Sequence, residues 1–390
     1  MRKLIIFAVL LTLCGAVYAQ TAAQFYNQAL KTEDTAERLR LLTKAIEKNP
    51  KLTQAYHHRG DIYRGRGEIK KAIADYDKMI SLSPKDPFKY YARGLAYMDR
   101  KSYAAAADDF SAAIKLKNNS DDFYYNRALA YMETDKYNDA LKDLSKIKNR
   151  KAKGDELIIL EGKAHLATYN YPAARRLFEQ ILAKDNNNTT ALFYLGRINF
   201  NNEMYDEAIS LLSKAINRDA AFAPAYRLRA SAFKETGDYK AAADDYTALI
   251  AISPDYSNYN RRGLIYEETG EWQKAAQDFS AAIAANPKWA IAYNNRGYAY
   301  TKLKEYKKAQ DDFETALKLA PNLPTPHINY AGWHWTARKD KKNMYKYLDL
   351  GMKYNFKDLD SLYEENKKGW MFKGINNTVE FRTFLANYSK

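Results

Sequence analysis

The sequence predicts an all-α fold, a solenoid of helix-turn-helix repeats with eight clear copies and about ten when two degenerate ends are counted. A small residue recurs every 34 residues, with one interval of 33, and an alanine follows each of these residues by twelve. No segment alternates apolar and polar residues with the period of two that a strand shows. Because the sequence repeats internally, we describe its organisation by its repeats and do not divide its 390 residues into domains of typical length. The small residues are Gly60, Gly94, Ala128, Gly162, Gly196, Ala230, Gly263 and Gly297.

Each repeat carries the pattern of two helices that pack closely on one another. In the last clear copy, Tyr293, Gly297 and Tyr300 recur at i, i+4 and i+7, which is one face of a helix. Ala309 and Phe313 begin the same spacing on a second helix. Small residues let the two backbones approach, and the aromatic rings fill the space above and below them. Proline cannot continue a helix, and prolines follow the second helix at Pro84, Pro254, Pro287 and Pro321.

The pattern of aromatic, Gly or Ala, Tyr, Ala, aromatic, Ala and Pro at these offsets resembles the tetratricopeptide repeat. Residues 292–321, AYNNRGYAYTKLKEYKKAQDDFETALKLAP, carry it most plainly. The resemblance covers residues 53–323 and implies a right-handed superhelix in which each repeat buries its apolar face against its neighbours. Terminal copies of such arrays face water on one side. We therefore assign residues 20–52 to a degenerate N-terminal repeat, and residues 324–390 to a degenerate repeat followed by capping helices.

Residues 1–19 have the pattern of a secretory signal peptide, with two basic residues, an apolar run over residues 4–13 and a small-residue cleavage site at Ala19. They predict an exported protein of the periplasm, with association with the outer membrane or secretion as alternatives. Cleavage would remove Cys14, the single cysteine, which suits an oxidising compartment. Acylation of Cys14 is the rival interpretation, although Leu13 stands where lipoprotein signals have a small residue. No later stretch approaches 18 apolar residues, so we expect no transmembrane segment.

The sequence carries no pattern of catalytic or metal-binding residues. None of the five histidines has a ligand spacing, and neither a Walker-type loop, a G-x-S-x-G nor a G-x-G-x-x-G is present. One cysteine excludes a disulfide scaffold and a multi-thiolate metal site. Acidic pairs such as Asp108-Asp109 recur at one repeat position and are typical of a solvated helix face. We therefore predict a protein that is not an enzyme and takes no cofactor or metal.

The net charge of +15 raises the question of a polyanionic partner. Basic residues alternate with acidic ones along the chain, and export argues against nucleic acid, so we do not predict nucleic-acid binding. An electrostatic contact with an anionic envelope surface remains open. A binding module for anionic glycan or lipid is therefore the alternative function.

Arginine and aspartate are correlated along the repeats. Six repeats have arginine just before the small residue and aspartate sixteen residues later. The other two repeats lose both charges together, which predicts a contact between the paired helices or across adjacent repeats. The alternative is a ladder of guanidinium groups for acidic ligands. The six pairs are Arg59–Asp75, Arg93–Asp109, Arg127–Asp143, Arg229–Asp245, Arg262–Asp278 and Arg296–Asp312.

Residues 145–222 contain the two repeats that lack these charges. They also lack the terminal proline and include a basic run, KIKNRKAK, at residues 146–153. We therefore predict that this stretch is the softest part of the array and a candidate hinge, with sequence drift as the alternative.

The family resemblance also implies where a partner binds. In that family, first-helix residues at motif positions 2, 5, 9 and 12 line the inner surface. The corresponding residues here are apolar in the central copies, while flanking copies have polar ones such as His57, Arg227, Lys234, Asn260 and Glu267. The predicted partner-binding residues are Phe88, Tyr91, Leu95, Met98, Tyr125, Leu129, Met132, Phe193, Arg197 and Phe200.

An apolar strip of this kind predicts a groove for a peptide or helix of a partner protein. The alternative is that the superhelix coils tightly, or that the N-terminal segment fills the groove. The family's carboxylate clamp is not predicted, because Tyr91 and Leu95 stand where lysine and asparagine would be needed. The predicted function is a non-catalytic interaction scaffold of the bacterial envelope, in envelope assembly, secretion or virulence.

Overall fold

The computed structural model describes residues 21–117, 119–362 and 371–388, and the predicted signal peptide therefore lies outside the described residues. The described chain is helical, with no strand in the ranges just given, which confirms the all-α prediction. It forms two compact units, one up to Ile181 and one from Leu182 onward. None of the helices in these ranges is long and apolar enough to span a membrane. The limits predicted for the signal peptide, repeats and cap stay predictions.

The first twenty helices pair in succession as hairpins, with an odd-numbered first helix and an even-numbered second helix. The chain up to the unit boundary contains α1 (Ala22–Lys31), α2 (Thr35–Lys48), α3 (Thr53–Gly65), α4 (Ile69–Leu82), α5 (Pro87–Asp99), α6 (Tyr103–Leu116), α7 (Asp121–Met132), α8 (Tyr137–Leu144), α9 (Arg150–Ala167) and α10 (Tyr171–Leu182). The second unit contains α11 (Thr189–Asn201), α12 (Tyr205–Arg218), α13 (Ala223–Glu235), α14 (Tyr239–Ile252), α15 (Tyr256–Glu268), α16 (Trp272–Ala285), α17 (Ala290–Lys302), α18 (Tyr306–Leu319), α19 (Pro324–Arg338), α20 (Lys341–Lys353), a 3₁₀ turn (Asp360–Leu362) and α21 (Val379–Ala386). This succession of hairpins is the repeat architecture that the sequence predicts.

The small residue of the first helix lies directly under the ring of the second helix. A Cβ added at Gly60 would lie 2.8 Å from the ring of Tyr76, and one at Gly94 would lie 2.6 Å from the ring of Phe110. Real Cβ atoms do not approach a ring this closely, so a side chain at these glycines would push the hairpin apart. The close approach expected from the sequence is confirmed.

The turn inside each clear hairpin places one residue at positive φ, seven residues after the small residue. Three of these eight residues are glycine, which adopts this conformation freely. The other five have φ between 57° and 62°, which costs an L-residue about 1–2 kcal/mol. Helix packing therefore imposes the turn whatever residue occupies it. The five are Lys101, Asp135, Tyr169, Glu203 and Lys304.

All six predicted arginine–aspartate pairs are present. In each pair the arginine donates from Nε and Nη2 to both oxygens of the aspartate, at 2.6–3.0 Å. The aspartates are buried, with 3–5% of their surface exposed. The prediction is confirmed, and the structure adds a third contact. Nη1 donates at 2.6–3.1 Å to the second helix of the preceding repeat, at Thr43, Asp77, Ser111, Ser213, Thr247 and Ser280.

Residues 145–154 depart from the regular repeat. The second helix α8 ends at Leu144 and has 8 residues, whereas α6 has 14. The following helix α9 is interrupted at Gly154, with φ 58° and ψ −146°. Asp121 accepts hydrogen bonds from the backbone N–H groups of Lys148 and Asn149, and these bonds hold its pKa below the ordinary value. The basic run is therefore anchored to α7, and the hinge stays a prediction.

Residues 371–388 pack on α19 and α20. Trp333 is 1% exposed and lies in one apolar cluster with Met371, Phe372 and Phe381. The indole of Trp335 donates to the carbonyl of Lys373 at 2.9 Å. Trp333, Trp335 and Phe372 therefore serve the packing of the C-terminal segment on α19 and α20.

Two histidines are buried in this same region. His327 and His334 are 6% and 7% exposed, and the ring of His334 stacks on Tyr347 with centroids 5.3 Å apart. Nδ1 of His334 lies 3.5 Å from a carboxylate oxygen of Asp340 without making a hydrogen bond. Burial lowers the pKa of both histidines, even though Asp340 acts in the opposite direction on His334.

We expect removal of one partner of the Arg262–Asp278 pair to cost more than removal of both. Arg262→Leu or Asp278→Leu leaves a buried charge, which costs about 3 kcal/mol, while the double variant leaves none. A double-mutant cycle on the free energy of unfolding measures the coupling. The exposed pair Lys307–Asp311 is the control, for which we expect little or no coupling because water screens both charges. Additive losses at Arg262 and Asp278 would contradict the prediction.

Replacing a strained turn residue by glycine should stabilise the protein. Lys101 has φ 60°, so we expect Lys101→Gly to raise the free energy of unfolding by about 0.5–1 kcal/mol. The reverse change, Gly237→Ala at φ 82°, should lower it by about 1 kcal/mol. Denaturant unfolding measures both, and a loss of stability in Lys101→Gly is the result that would overturn the expectation.

Stability should fall as the pH drops below about 6.5, the ordinary pKa of histidine. The folded pKa of His327 and His334 lies below that value, so the unfolded chain takes up protons first and is favoured at lower pH. Melting temperatures between pH 7.5 and 5 measure the effect. The variant His334→Gln cannot titrate there and should lose less stability over the range. An identical pH dependence in the variant would show that protonation of His334 does not contribute to the loss of stability.

Candidate functional site

Seven of the predicted partner-binding residues lie on two adjacent first helices of the first unit. Helices α5 and α7 contact each other directly, and together they carry this set. Phe88 is 54% exposed, and the other six are half-buried. The set is called the apolar strip below. It consists of Phe88, Tyr91, Leu95 and Met98 on α5, with Tyr125, Leu129 and Met132 on α7.

The aromatic residues of the apolar strip are held in place by the core behind them. The ring of Tyr91 lies 5.0 Å from that of Phe123 and 5.7 Å from that of Phe110. Its hydroxyl accepts a hydrogen bond from the side-chain amide of Asn126 at 3.1 Å, and burial raises the pKa of Tyr91. Phe88 lies edge-on to Phe123 at 5.6 Å. Tyr91 therefore belongs as much to the fold as to the surface, and Phe88 is the side chain most available to a partner.

Two lysines border the apolar strip. The ammonium of Lys117 lies 4.9 Å from the ring centre of Phe88, and that of Lys153 lies 4.7 Å from the ring centre of Tyr125. Lys153 is also paired with Asp122 at 2.6 Å. The strip thus combines rigid aromatic faces with a cationic border.

The remaining predicted residues, Phe193, Arg197 and Phe200, lie on α11 in the second unit. There Phe193 packs edge-on against Phe222 at 5.3 Å, while Arg197 is exposed. The structure therefore divides the predicted set between the two compact units.

The second unit contains three neighbouring depressions that share lining residues. The first has a volume of about 350 Å³ and is lined by Phe193, Arg197, Arg227 and Arg261 among others. Arg261 also lines the second, of about 280 Å³. The second and third share Leu264, and the third has a volume of about 630 Å³. We call this continuous surface the second-unit groove.

A chain of four asparagines, three of them buried, lies along the largest of these depressions. Asn329 donates to Asn294, Asn294 donates to Asn295, and Asn295 donates to Asn260, each at 3.0 Å. Oδ1 of Asn329 is buried and has no hydrogen-bond partner. The depression also holds Lys302, whose ammonium lies 4.9 Å from the ring of Trp272. Burial lowers the pKa of Lys302.

Sequence reasoning found only part of this groove, since Phe193, Arg197 and Phe200 of the predicted set line it. Arg227, Lys234, Asn260 and Glu267 were interpreted as polar flanks of the predicted binding residues, which are apolar except for Arg197. Their repeat positions are the same ones that supply the strip, so polar residues at those positions were the available signal. Arg261 stands one position beyond that set.

In the part of the chain that the structure describes, no group of three or more His, Cys, Asp or Glu side chains is placed to hold a metal ion. The described residues instead offer a partner exposed aromatic rings, side-chain amides and charged groups of both signs.

Comparison with known proteins identifies the repeat. Models of the tetratricopeptide repeat match residues 60–99, 94–135, 165–232, 223–256, 257–289 and 290–323, which together exceed half of the chain. No curated protein matches the sequence.

Three solved structures illustrate the likeness. A tetratricopeptide repeat protein from Parabacteroides merdae is 19% identical with a TM-score of 0.52, over 63% of this chain and 97% of that one. MamA is 27% identical with a TM-score of 0.39, over 41% and 94%. Yeast Tom70 is 17% identical with a TM-score of 0.43, over 94% and 83%. With six matched segments and a helix-pair architecture, this chain belongs to the tetratricopeptide repeat family.

Proposed function

We propose that this protein is a non-catalytic scaffold of the bacterial envelope, in the periplasm, which binds a peptide or helix of a partner protein on the apolar strip. Membership of the tetratricopeptide repeat family supports the role of a protein–protein interaction scaffold. The periplasmic location rests on the signal-peptide pattern of residues 1–19, which lie outside the described residues. The absence of catalytic motifs from the sequence supports a non-catalytic role.

The exposure of Phe88 carries the proposal. Phe88 is 54% exposed, and its neighbours Tyr91 and Leu95 extend the apolar surface along α5 into a contiguous patch that a partner could cover. Because Tyr91 is fixed by two rings and a hydrogen bond, little side-chain entropy is lost when a partner binds against it. Rigid aromatic anchors of this kind dominate binding energies at protein interfaces.

A binding module for anionic glycan or lipid is the second candidate. The cationic border of the strip, Lys117 and Lys153, and the net charge of +15 favour it. Salt separates the two candidates, because polyanion binding weakens steeply with ionic strength while burial of apolar side chains does not.

We expect Phe88→Ser to weaken partner binding by about 2 kcal/mol, roughly thirtyfold, while the melting temperature stays unchanged. A photo-reactive phenylalanine at position 88 would first capture the partner in the native envelope. Titration of that purified partner against the wild type and Phe88→Ser then gives the affinities. Tyr91→Ala with Tyr125→Ala is a poorer choice, because Tyr91 packs against Phe110 and Phe123.

Leu319→Ser is the matched control for this experiment. Leu319 is 39% exposed at the end of the second helix α18, in the second unit, so its loss should leave the affinity unchanged. An unaltered affinity in Phe88→Ser, or equal capture from position 319, would remove the apolar strip as the binding site. A more than tenfold loss of affinity between about 50 and 200 mM salt would favour the polyanion module.

A further inference from the structure

The second-unit groove is basic at one end. Arg197, Arg227 and Arg261 line the depression of about 350 Å³, and all three are exposed. Within the described ranges, none of these guanidinium groups has an ion pair with an acidic side chain. This contrasts with the six arginines of the helix–helix pairs, each of which is matched to a buried aspartate. Three guanidinium groups without an acidic partner on one surface favour a ligand that carries a carboxylate.

The other end of the groove is acidic. Glu267, Glu268 and Asp358 line the depression of about 630 Å³, where Lys302 is the one basic residue among the described lining residues. Glu268 also lies 4.0 Å from the ammonium of Lys234, a long contact between two half-exposed groups. The chain as a whole carries a net charge of +15, so an acidic surface is a local reversal of its charge.

The two ends are close enough for one short peptide to reach both. Arg261 and Glu268 are seven residues apart on α15 and lie on the same face, about 10 Å apart along the helix axis. An extended chain covers that distance in about three residues. Leu264 lies between them, is 38% exposed and lines both the second and the third depression. The groove therefore has a basic end and an acidic end, with the exposed Leu264 between them in a depression that Lys234 and Glu235 also line.

A buried side chain at the acidic end lacks a hydrogen bond. Asn329 is 4% exposed and lines the largest depression, and its Oδ1 has no donor. A buried acceptor without a partner costs free energy, and a donor from an incoming molecule would remove that cost. Backbone N–H groups and ammonium groups of a peptide are donors of this kind.

We propose that the second-unit groove binds an extended peptide segment in which an acidic and a basic residue stand about three positions apart, with an apolar residue between them. The acidic residue lies against Arg197, Arg227 and Arg261, and the basic residue lies against Glu267, Glu268 and Asp358. A uniform polyanion fits less well, because the acidic end repels it. This site is independent of the apolar strip in the first unit, and either one can fail while the other stands.

Selection from a random dodecapeptide library displayed on phage tests the proposal with the full chain as bait. We expect enriched peptides to share an acidic and a basic residue about three positions apart. The variant Arg227→Glu with Arg261→Glu should lose the preference for the acidic residue. Glu267→Lys with Glu268→Lys should lose the preference for the basic residue. No enrichment, enrichment without this charge pattern, or a pattern unchanged in both variants would overturn the proposal.

A synthetic peptide from the selection then gives the magnitudes by fluorescence anisotropy. Arg227→Gln with Arg261→Gln, and separately Glu267→Gln with Glu268→Gln, should each weaken binding at least tenfold. Two double variants that neutralise exposed residues elsewhere are the controls: Arg218→Gln with Lys304→Gln, and Glu207→Gln with Asp244→Asn. Their affinity for the peptide should stay within twofold of the wild type. Phe88→Ser should also stay within twofold, which separates this site from the apolar strip.

Heparin serves as the polyanion probe in the same assay. We expect it to compete weakly with the selected peptide, and we expect Glu267→Lys with Glu268→Lys to strengthen its binding. If heparin binds the wild type as tightly as the peptide does, and the glutamate variants leave the peptide affinity unchanged, the groove is a polyanion site and the proposal is wrong.

Discussion

The arginine that precedes the small residue of the first helix ties three helices together. Its guanidinium presents a rigid, planar set of donors, which here reach a buried aspartate on the second helix of the same repeat and a hydroxyl or carboxylate on the second helix of the preceding one. Because a buried aspartate is costly without this partner, the hairpin and the stacking of repeats are fixed by one side chain. The two repeats that lack it, with Glu161 and Leu195 at this position, are those around the division between the units at Ile181.

Features that recur at a fixed spacing along the chain could be predicted from the sequence. The helix pairs follow from the 34-residue period, and the arginine–aspartate contact followed from charges that are kept or lost together. The third contact of each arginine could not be predicted, because its acceptor is a serine, threonine or aspartate of ordinary appearance in the preceding repeat. The positive φ of Lys101 and Tyr169 was equally hidden, since packing of the hairpin imposes the turn against the preference of the residue.

The candidate site was predicted less well than the fold, for two physical reasons. Motif positions assign side chains to a face, but they do not tell an exposed ring such as Phe88 from one such as Tyr91 that is half inside the core. Most of the second-unit groove was missed because it is assembled across repeats, from Arg197 on α11 to Asp358 beyond the last hairpin. Its two ends are formed by residues more than 160 positions apart, and no local pattern in the sequence connects them.

Lateral ties between first helices determine which of their side chains remain available. The asparagine two residues before the small residue donates to the side chain 35 residues earlier in three places, from Asn126 to Tyr91, Asn295 to Asn260 and Asn329 to Asn294. In α15 the residue at the donor position is Arg261, and the residue at the acceptor position of α13 is Arg227. The small residues of these two repeats are 33 residues apart, where the other intervals are 34. Two guanidinium groups have no acceptor between them and repel each other, so this tie cannot form. Because this tie is missing, both guanidinium groups remain on the surface, at the basic end of the groove.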